Sequence, residues 1–193
     1  MFRFVLALFA ALALAATAAA QAGTWQIDPM HSSAQFSVRH LGVSTVRGAF
    51  TKVSGTAKYD SSDPSKTTLE ATIDATSVDT RVEMRDNDLR SPNFLEVQKY
   101  PTITFHSKQT KAAGAGVLHI TGDLTIHGVT KEVTLDVDGP TAPIKDPWGN
   151  QRIGASAATR INRHDFGVNG APGAVGDEIT ITIDVELIQP GSK

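Results

Sequence analysis

The chain has 193 residues, 18 Lys and Arg against 20 Asp and Glu for a net charge of −2, and no cysteine. Both signs of charge are spread along it, which leaves no basic patch for a nucleic acid. The missing thiol excludes disulfides and a lipid-modified N-terminal cysteine.

Met1-Phe2-Arg3 sets one positive charge ahead of an apolar run from Phe4 to Ala16, and small residues continue to Ala20-Gln21-Ala22. That order predicts a secretory signal peptide over residues 1–22, with 23–193 as one mature domain, periplasmic or secreted. The apolar run is shorter than the roughly 20 residues that span a bilayer, which argues against a membrane anchor.

Apolar and polar residues then alternate, the pattern of strands with one buried face. Ser32 to His40 and Thr45 to Tyr59 open the series, followed by the set Leu69, Ala71, Ile73 and Ala75. Thr80-Arg81-Val82-Glu83 has capping-box spacing and predicts a short helix from Arg81 to Arg90, stopped by Ser91-Pro92. Ile103 and Phe105 begin the next strand, and Leu118, Ile120, Leu124 and Ile126 form another, as do Val133, Leu135 and Val137. Gly139 to Asn150, with Pro140, Pro143, Pro147 and Trp148, reads as a long loop. Arg152 to Asn162 alternates least regularly, and Ile179, Ile181, Ile183, Val185 and Leu187 most cleanly. Short turns at Asp60 to Lys66, Ala112 to Gly116 and Gly128-Val129 imply antiparallel neighbours. The expected fold is all-β, an eight-stranded antiparallel barrel with one short helix, since closure removes exposed edges. A two-sheet sandwich has the same signature.

A small barrel either fills its interior or leaves room for one ligand. The inward set is mostly aliphatic, and the whole chain has only 8 Phe, 2 Trp and 2 Tyr. An open lumen of that kind suits a long flexible hydrocarbon better than a flat ring. The candidate ligand-binding residues are Phe36, Val38, His40, Phe50, Ile73, Phe105, Leu118, Ile120, Leu124, Leu135, Ile181 and Ile183. Ten buried chain carbons at about 0.8 kcal/mol each offer about 8 kcal/mol before ordering costs, enough for micromolar binding with a longer tail. A filled lumen that serves only as core is the competing reading.

His40 shares the parity of Phe36 and Val38, so it faces the interior as a core histidine or as a polar handle for a head group. His31, Arg81, Arg85 and Trp148 are the head-group candidates; the arginines of the short helix could clamp a phosphate if the helix covers a barrel mouth. His119 and His127, eight residues apart on one strand face, stand roughly 27 Å from each other and cannot share an ion. No His-x-His or His-Glu-x-x-His occurs, and no metal site is expected. Asp28, His31 and Ser32 lie close in sequence without triad spacing.

The stretch WQIDPMHSSAQFSVRHLGVSTVRGAF from Trp25 resembles the opening of the YceI-like family of bacterial exported proteins. The blocks MRDNDLRSPNFLEVQKYPTITFHS from Met84, LTIHGVTKEVTL from Leu124 and DPWGNQRIGASAATRINRHDFGV from Asp146 follow in the family's order and span essentially all of the mature chain. The resemblance implies a lipocalin-like barrel, usually dimeric, that holds a polyisoprenoid such as a prenyl diphosphate or a quinone tail in its lumen. The matching polar positions are Asp28, His31, Arg39, His40, Arg85, Asp88 and Arg90, with Arg163, Asp165 and Phe166 in the late block; the family commonly has His where this chain has Asp88.

The leading expectation is therefore a carrier that needs no cofactor, binds an apolar isoprenoid lipid or quinone, and is not integral to the membrane. A homodimer is implied by the resemblance alone. An enzyme acting on a small isoprenoid or lipid substrate, with His40 or His31 as acid or base, is the alternative. An outer-membrane barrel would show the same alternation, but so few aromatic residues cannot build two interfacial girdles.

Overall fold

The computed structural model describes residues 23–190. The expected signal peptide lies outside the described residues. Alternation becomes structure in twelve strands: β1 (Gly23–Ile27), β2 (Ser33–His40), β3 (Ser44–Phe50), β4 (Val53–Tyr59), β5 (Thr68–Asp74), β6 (Val78–Asp79), β7 (Thr102–Gly114), β8 (Val117–Ile126), β9 (Val129–Asp138), β10 (Ile144–Lys145), β11 (Gln151–Asn162) and β12 (Val175–Gln189). One helix, α1 (Glu83–Arg90), stands between β6 and β7.

The strands close into an eight-stave antiparallel barrel. β12 pairs with β11 along one edge, from Gln151↔Gln189 to Asn162↔Glu178. Its other edge pairs first with β2 and then with β1, so β1 and β2 form a single stave. In the same way β3 and β4 make one stave, β5 and β6 another, and β7, β8, β9, β11 and β12 complete the ring. Closure decides the fold in favour of the barrel over the sandwich, because every stave finds a partner on both sides.

Register defines the two ends. The β2–β3 and β8–β9 turns, the close of β5 and β6, and α1 gather at one end, the helix end; the β7–β8 turn and the start of β1 lie at the other. At the far end Trp25, Ile27, Ala57, Ile153 and Leu187 pack into a buried cluster. At the helix end Phe94, Val97, Phe166 and Val168 join the larger core. β9 and β11 share only three pairs, the last at Ala158 and Asp136, before they part; β11 runs on alongside β12 to Asn162, and the turn Arg163–Phe166 follows.

Several expectations need correction. Thr45 to Tyr59 breaks at Thr51 and Lys52, where the stave exchanges β2 for β1 as its partner and the two backbone amides bond to Ser77. The helix begins at Glu83, and the Thr80 capping box does not form. Thr80 instead gives its amide and hydroxyl protons to Asp86 Oδ1 at 2.8 and 2.5 Å, because Arg81 adopts a positive φ of 64° that turns the chain before the helix starts. Gly139 to Asn150 is less irregular than its prolines suggest, since β10 folds back on β11 as a short hairpin. Val129 belongs to β9, and His127 sits in the turn before it, off the strand face that carries His119.

Candidate functional site

A cavity of about 250 Å³ runs inside the barrel. For scale, about 150 Å³ of dry apolar space holds a benzene molecule. Its wall is built from the inward positions of the staves and is overwhelmingly apolar, from Leu89, Phe94 and Leu95 at the helix end to Tyr59, Thr67 and Pro140 at the far end. Of the expected ligand-binding residues, Phe36, Val38, Phe50, Ile73, Phe105, Leu118, Ile120, Leu124, Leu135, Ile181 and Ile183 all line it.

The wall is not uniform. Phe105, Leu118, Ile120, Leu124, Ile126, Leu135 and Val137 on β7, β8 and β9 are buried by neighbouring side chains. Across the lumen Phe36, Val38 and Phe50 on β2 and β3, with Ile179, Ile181 and Ile183 on β12, face the same cavity yet remain half-buried. Half-buried lining continues on both sides of these strands, at Leu69, Ala71 and Ile73 on β5 and at Ala155 and Ala157 on β11, so the uncovered apolar surface lies on the wall that runs from β5 through β3, β2 and β12 to β11. The same side has a free ladder edge: β3 pairs with β6 only at Ala49 and Phe50, which leaves Ser44 to Gly48 without a ladder partner towards α1 among the described residues.

His40 does not line the cavity. Its parity is right, but it is the last residue of β2, paired with Ser44 at the turn and with Val175 at the start of β12. None of the head-group candidates reaches the lumen either. Arg81 is exposed, and Arg85 donates from Nε to Thr80 Oγ1 at 2.8 Å and from Nη2 to the Thr80 carbonyl at 2.9 Å. Arg90 donates to the carbonyls of Thr76 and Val78 at 2.9 and 2.6 Å. Arg85 and Arg90 tie α1 to β6 through backbone oxygens, which leaves no convergent phosphate clamp. Trp148, 79% exposed, sits at the tip of the β10–β11 hairpin, on the opposite end of the barrel from α1.

His31 belongs to an ion network on the outer face. Its Nδ1 lies 2.8 Å from Asp28 Oδ2, and Arg152 reaches the same carboxylate oxygen at 2.8 Å, Asp146 Oδ2 at 2.8 Å, and Glu186. Bonds from His31 and Arg152 hold the Asp28 carboxyl at about 2. Burial pushes Asp146 up, but bonds from Arg152, Asn150 and the Trp148 amide outweigh it and leave the group at about 2. Ligand atoms of Asp28, His31 and Glu186 lie near enough to hold a cation, yet the Arg152 guanidinium already supplies the positive charge there. Ser32 bonds to the Glu186 backbone, so Asp28, His31 and Ser32 form no catalytic relay.

Arg163 is the charged residue of the lumen wall, and sequence reasoning gave it no role there. Its side chain, 4% exposed, donates to the carbonyls of Val168, Gly170, Val175 and Gly176 at 2.8 to 3.0 Å. Carbonyl groups that stray from β pairing need such a buried donor fork, so Arg163 fastens the loop that covers the helix end. No periodicity announces a residue of this kind.

The family model of the YceI-like domain matches residues 25–187. The chain belongs to the YceI-like family. Protein YceI of Escherichia coli O157:H7 is 39% identical over 183 residues, 94% of each chain. A Campylobacter jejuni YceI protein of solved structure superimposes with a TM-score of 0.70 at 32% identity, covering 79% of this chain and 90% of that one. A polyisoprenoid-binding domain from Saccharophagus degradans superimposes with a TM-score of 0.65 over 88% of this chain and the whole of that one; at 17% identity the likeness is one of fold. The YceI-like barrel described above is the family's architecture on this chain's own side chains.

Proposed function

We propose that this protein is an exported binding and carrier protein, periplasmic or secreted, that holds an isoprenoid-type lipid such as a prenyl phosphate or a quinone tail in the barrel lumen. One observation carries the reading: an apolar cavity of about 250 Å³ whose β2, β3 and β12 wall keeps aliphatic and phenyl surface uncovered. Leaving such surface unfilled forgoes about 25 cal/mol per Å², and a branched hydrocarbon chain supplies the missing contacts. The binding activity named for the Saccharophagus degradans domain is consistent with this use of the fold. His31 and His40, the residues an enzyme would use as acid or base, both lie away from the lumen wall.

Native mass spectrometry of the mature protein purified without detergent, followed by solvent extraction, tests the reading. A prenyl lipid or quinone bound one per chain is the expected result, and the same spectrum reads whether the chain is a homodimer. A barrel that comes out empty and refuses added prenyl alcohols, prenyl phosphates and quinones would refute it.

A further inference from the structure

The lumen wall carries little polar chemistry, and most of what it has is already committed. Among the described residues its one cation is Arg163. A guanidinium has five N–H groups. Arg163 gives four of them to backbone carbonyls: Nε to Gly176, Nη1 to Val168 and Gly170, and Nη2 to Val175. Nη2 also stands 3.7 Å from Asp177 Oδ1, which balances the charge. Arg85 and Arg90, bonded to Thr80, Thr76 and Val78, lie off the wall, as does Arg81. An anion inside the lumen therefore meets no cation with free donors. Bringing an unpaired charge into an apolar interior costs far more than bringing in a neutral polar group.

The hydroxyls of the wall separate in the same way. Thr67 donates to the Pro64 carbonyl and Ser156 to Asp184 Oδ1, both at 2.7 Å. Thr159 on β11 has no hydrogen-bond partner among the described residues, although it follows Ala155 and Ala157 on the inward face and lines the cavity half-buried. Ile181 lies beside it on β12; on its other edge the ladder to β9 has ended one residue earlier, at Ala158 and Asp136. Valine has the same outline, is at least as favourable in a strand, and would bring no unpaired hydroxyl to an aliphatic wall. Stability therefore does not account for a threonine here. A hydroxyl both donates and accepts, so it can hold an alcohol or a carbonyl oxygen, and it has no charge with which to balance a phosphate. Tyr59, the other inward hydroxyl without a protein partner, ends β4 at the far end and packs against the cluster of Trp25 and Ile27.

We propose that the Thr159 hydroxyl anchors an uncharged oxygen of the cargo, the hydroxyl or carbonyl of an isoprenoid alcohol or quinone, and that the lumen rejects prenyl phosphates. The proposal rests on the carrier reading and narrows it. Displacement of a fluorescent prenyl alcohol from the mature protein at neutral pH tests it, with three competitors that share one chain and differ at its end: farnesol, farnesyl phosphate and the hydrocarbon farnesene. Farnesol is expected to bind about a hundredfold more tightly than farnesyl phosphate. Thr159→Val lowers the affinity for farnesol about fivefold, the effect of one neutral hydrogen bond, and leaves that for farnesene unchanged. Thr159→Ala is a second variant without the hydroxyl and shows the same loss of preference for farnesol over farnesene. Thr159→Ser keeps the hydroxyl and the preference, and Tyr59→Phe keeps it as well.

Farnesyl phosphate that binds as tightly as farnesol overturns the rejection of charge. A farnesol-to-farnesene ratio unchanged in the folded Val or Ala variant, or lost equally in Thr159→Ser, overturns the anchor. Loss of that ratio in Tyr59→Phe also overturns it and moves the oxygen to the far end. A protein that binds all three competitors alike defeats the inference and leaves the carrier reading standing, whereas one that binds neither the fluorescent alcohol nor any competitor defeats both.

Discussion

At the residue scale, Arg152 is the side chain on which most of the outer-face electrostatics converge. It gathers Asp28, Asp146 and Glu186 from the β1–β2 connection, the β10 hairpin and β12. Asp28, with its side chain 12% exposed, has a folded value of about 2 against an ordinary 3.8. A depressed carboxyl contributes stability that is fully present above pH 3.8 and lost as pH falls through about 2, here on the order of 2 kcal/mol. Wild-type stability, followed by urea unfolding, is therefore expected to fall between pH 4 and pH 2. Arg152→Met removes one of the bonds that depress Asp28 and Asp146, so the folded values of these two carboxyls rise towards the ordinary one and the fall in stability between pH 4 and pH 2 becomes shallower. A variant with the wild-type pH profile would show that the network does not act as a unit. Asp28 and His31 were visible in sequence as a close group, but Asp146, Arg152 and Glu186 are far along the chain and only the barrel register brings them near.

At the element scale, α1 shows how a correct local signal can have another use. Thr-x-x-Glu spacing located a helix near Arg90, and the helix is there. Its start was misplaced because tertiary bonds outcompeted the capping box. Thr80, buried beside β6, serves Asp86 and accepts from Arg85 rather than satisfying the first turn. Thr80→Val keeps the shape and removes the hydroxyl, which leaves Arg85 Nε and Asp86 each short of a partner. A loss of about 2 kcal/mol in global stability is expected, with faster amide exchange across residues 83–90. Unchanged exchange there would mean that packing alone positions the helix. The strands were more legible than the helix, because period-two alternation survives any register and needs no tertiary partner to be read. Where proline clusters dominated, as in Gly139 to Asn150, the loop signal masked a two-residue strand that exists only because β11 lies alongside it.

At the scale of the whole molecule, the lumen has a packed wall and an open one, and the two respond differently to added volume. Ile120 is 4% exposed among the buried residues of β7, β8 and β9, whereas Ile181 on β12 faces the cavity half-buried. Ile181→Trp therefore places its ring in empty space, leaves the melting temperature near wild type, and blocks uptake of a prenyl lipid. Ile120→Trp overpacks the wall and costs about 1–3 kcal/mol, lowering the melting temperature by several degrees. Calorimetry with a fluorescent prenyl probe separates the cases, and normal uptake by a well-folded Ile181→Trp protein would move the site elsewhere.

By itself the sequence determined the main strands, the faces that their alternating side chains join and the aliphatic character of the lumen, all of which follow from a pattern with period two and from composition. It also carried the family likeness that the match over residues 25–187 bears out. Closure of the barrel, the contrast between its two walls, the withdrawal of His40, Arg85 and Trp148 from the lumen, and the role of Arg163 were decided by the tertiary structure. Parity tells which face a residue joins, but where a strand ends, which edge stays unpaired and which distant carbonyl claims a guanidinium depend on the register between strands far apart in the chain.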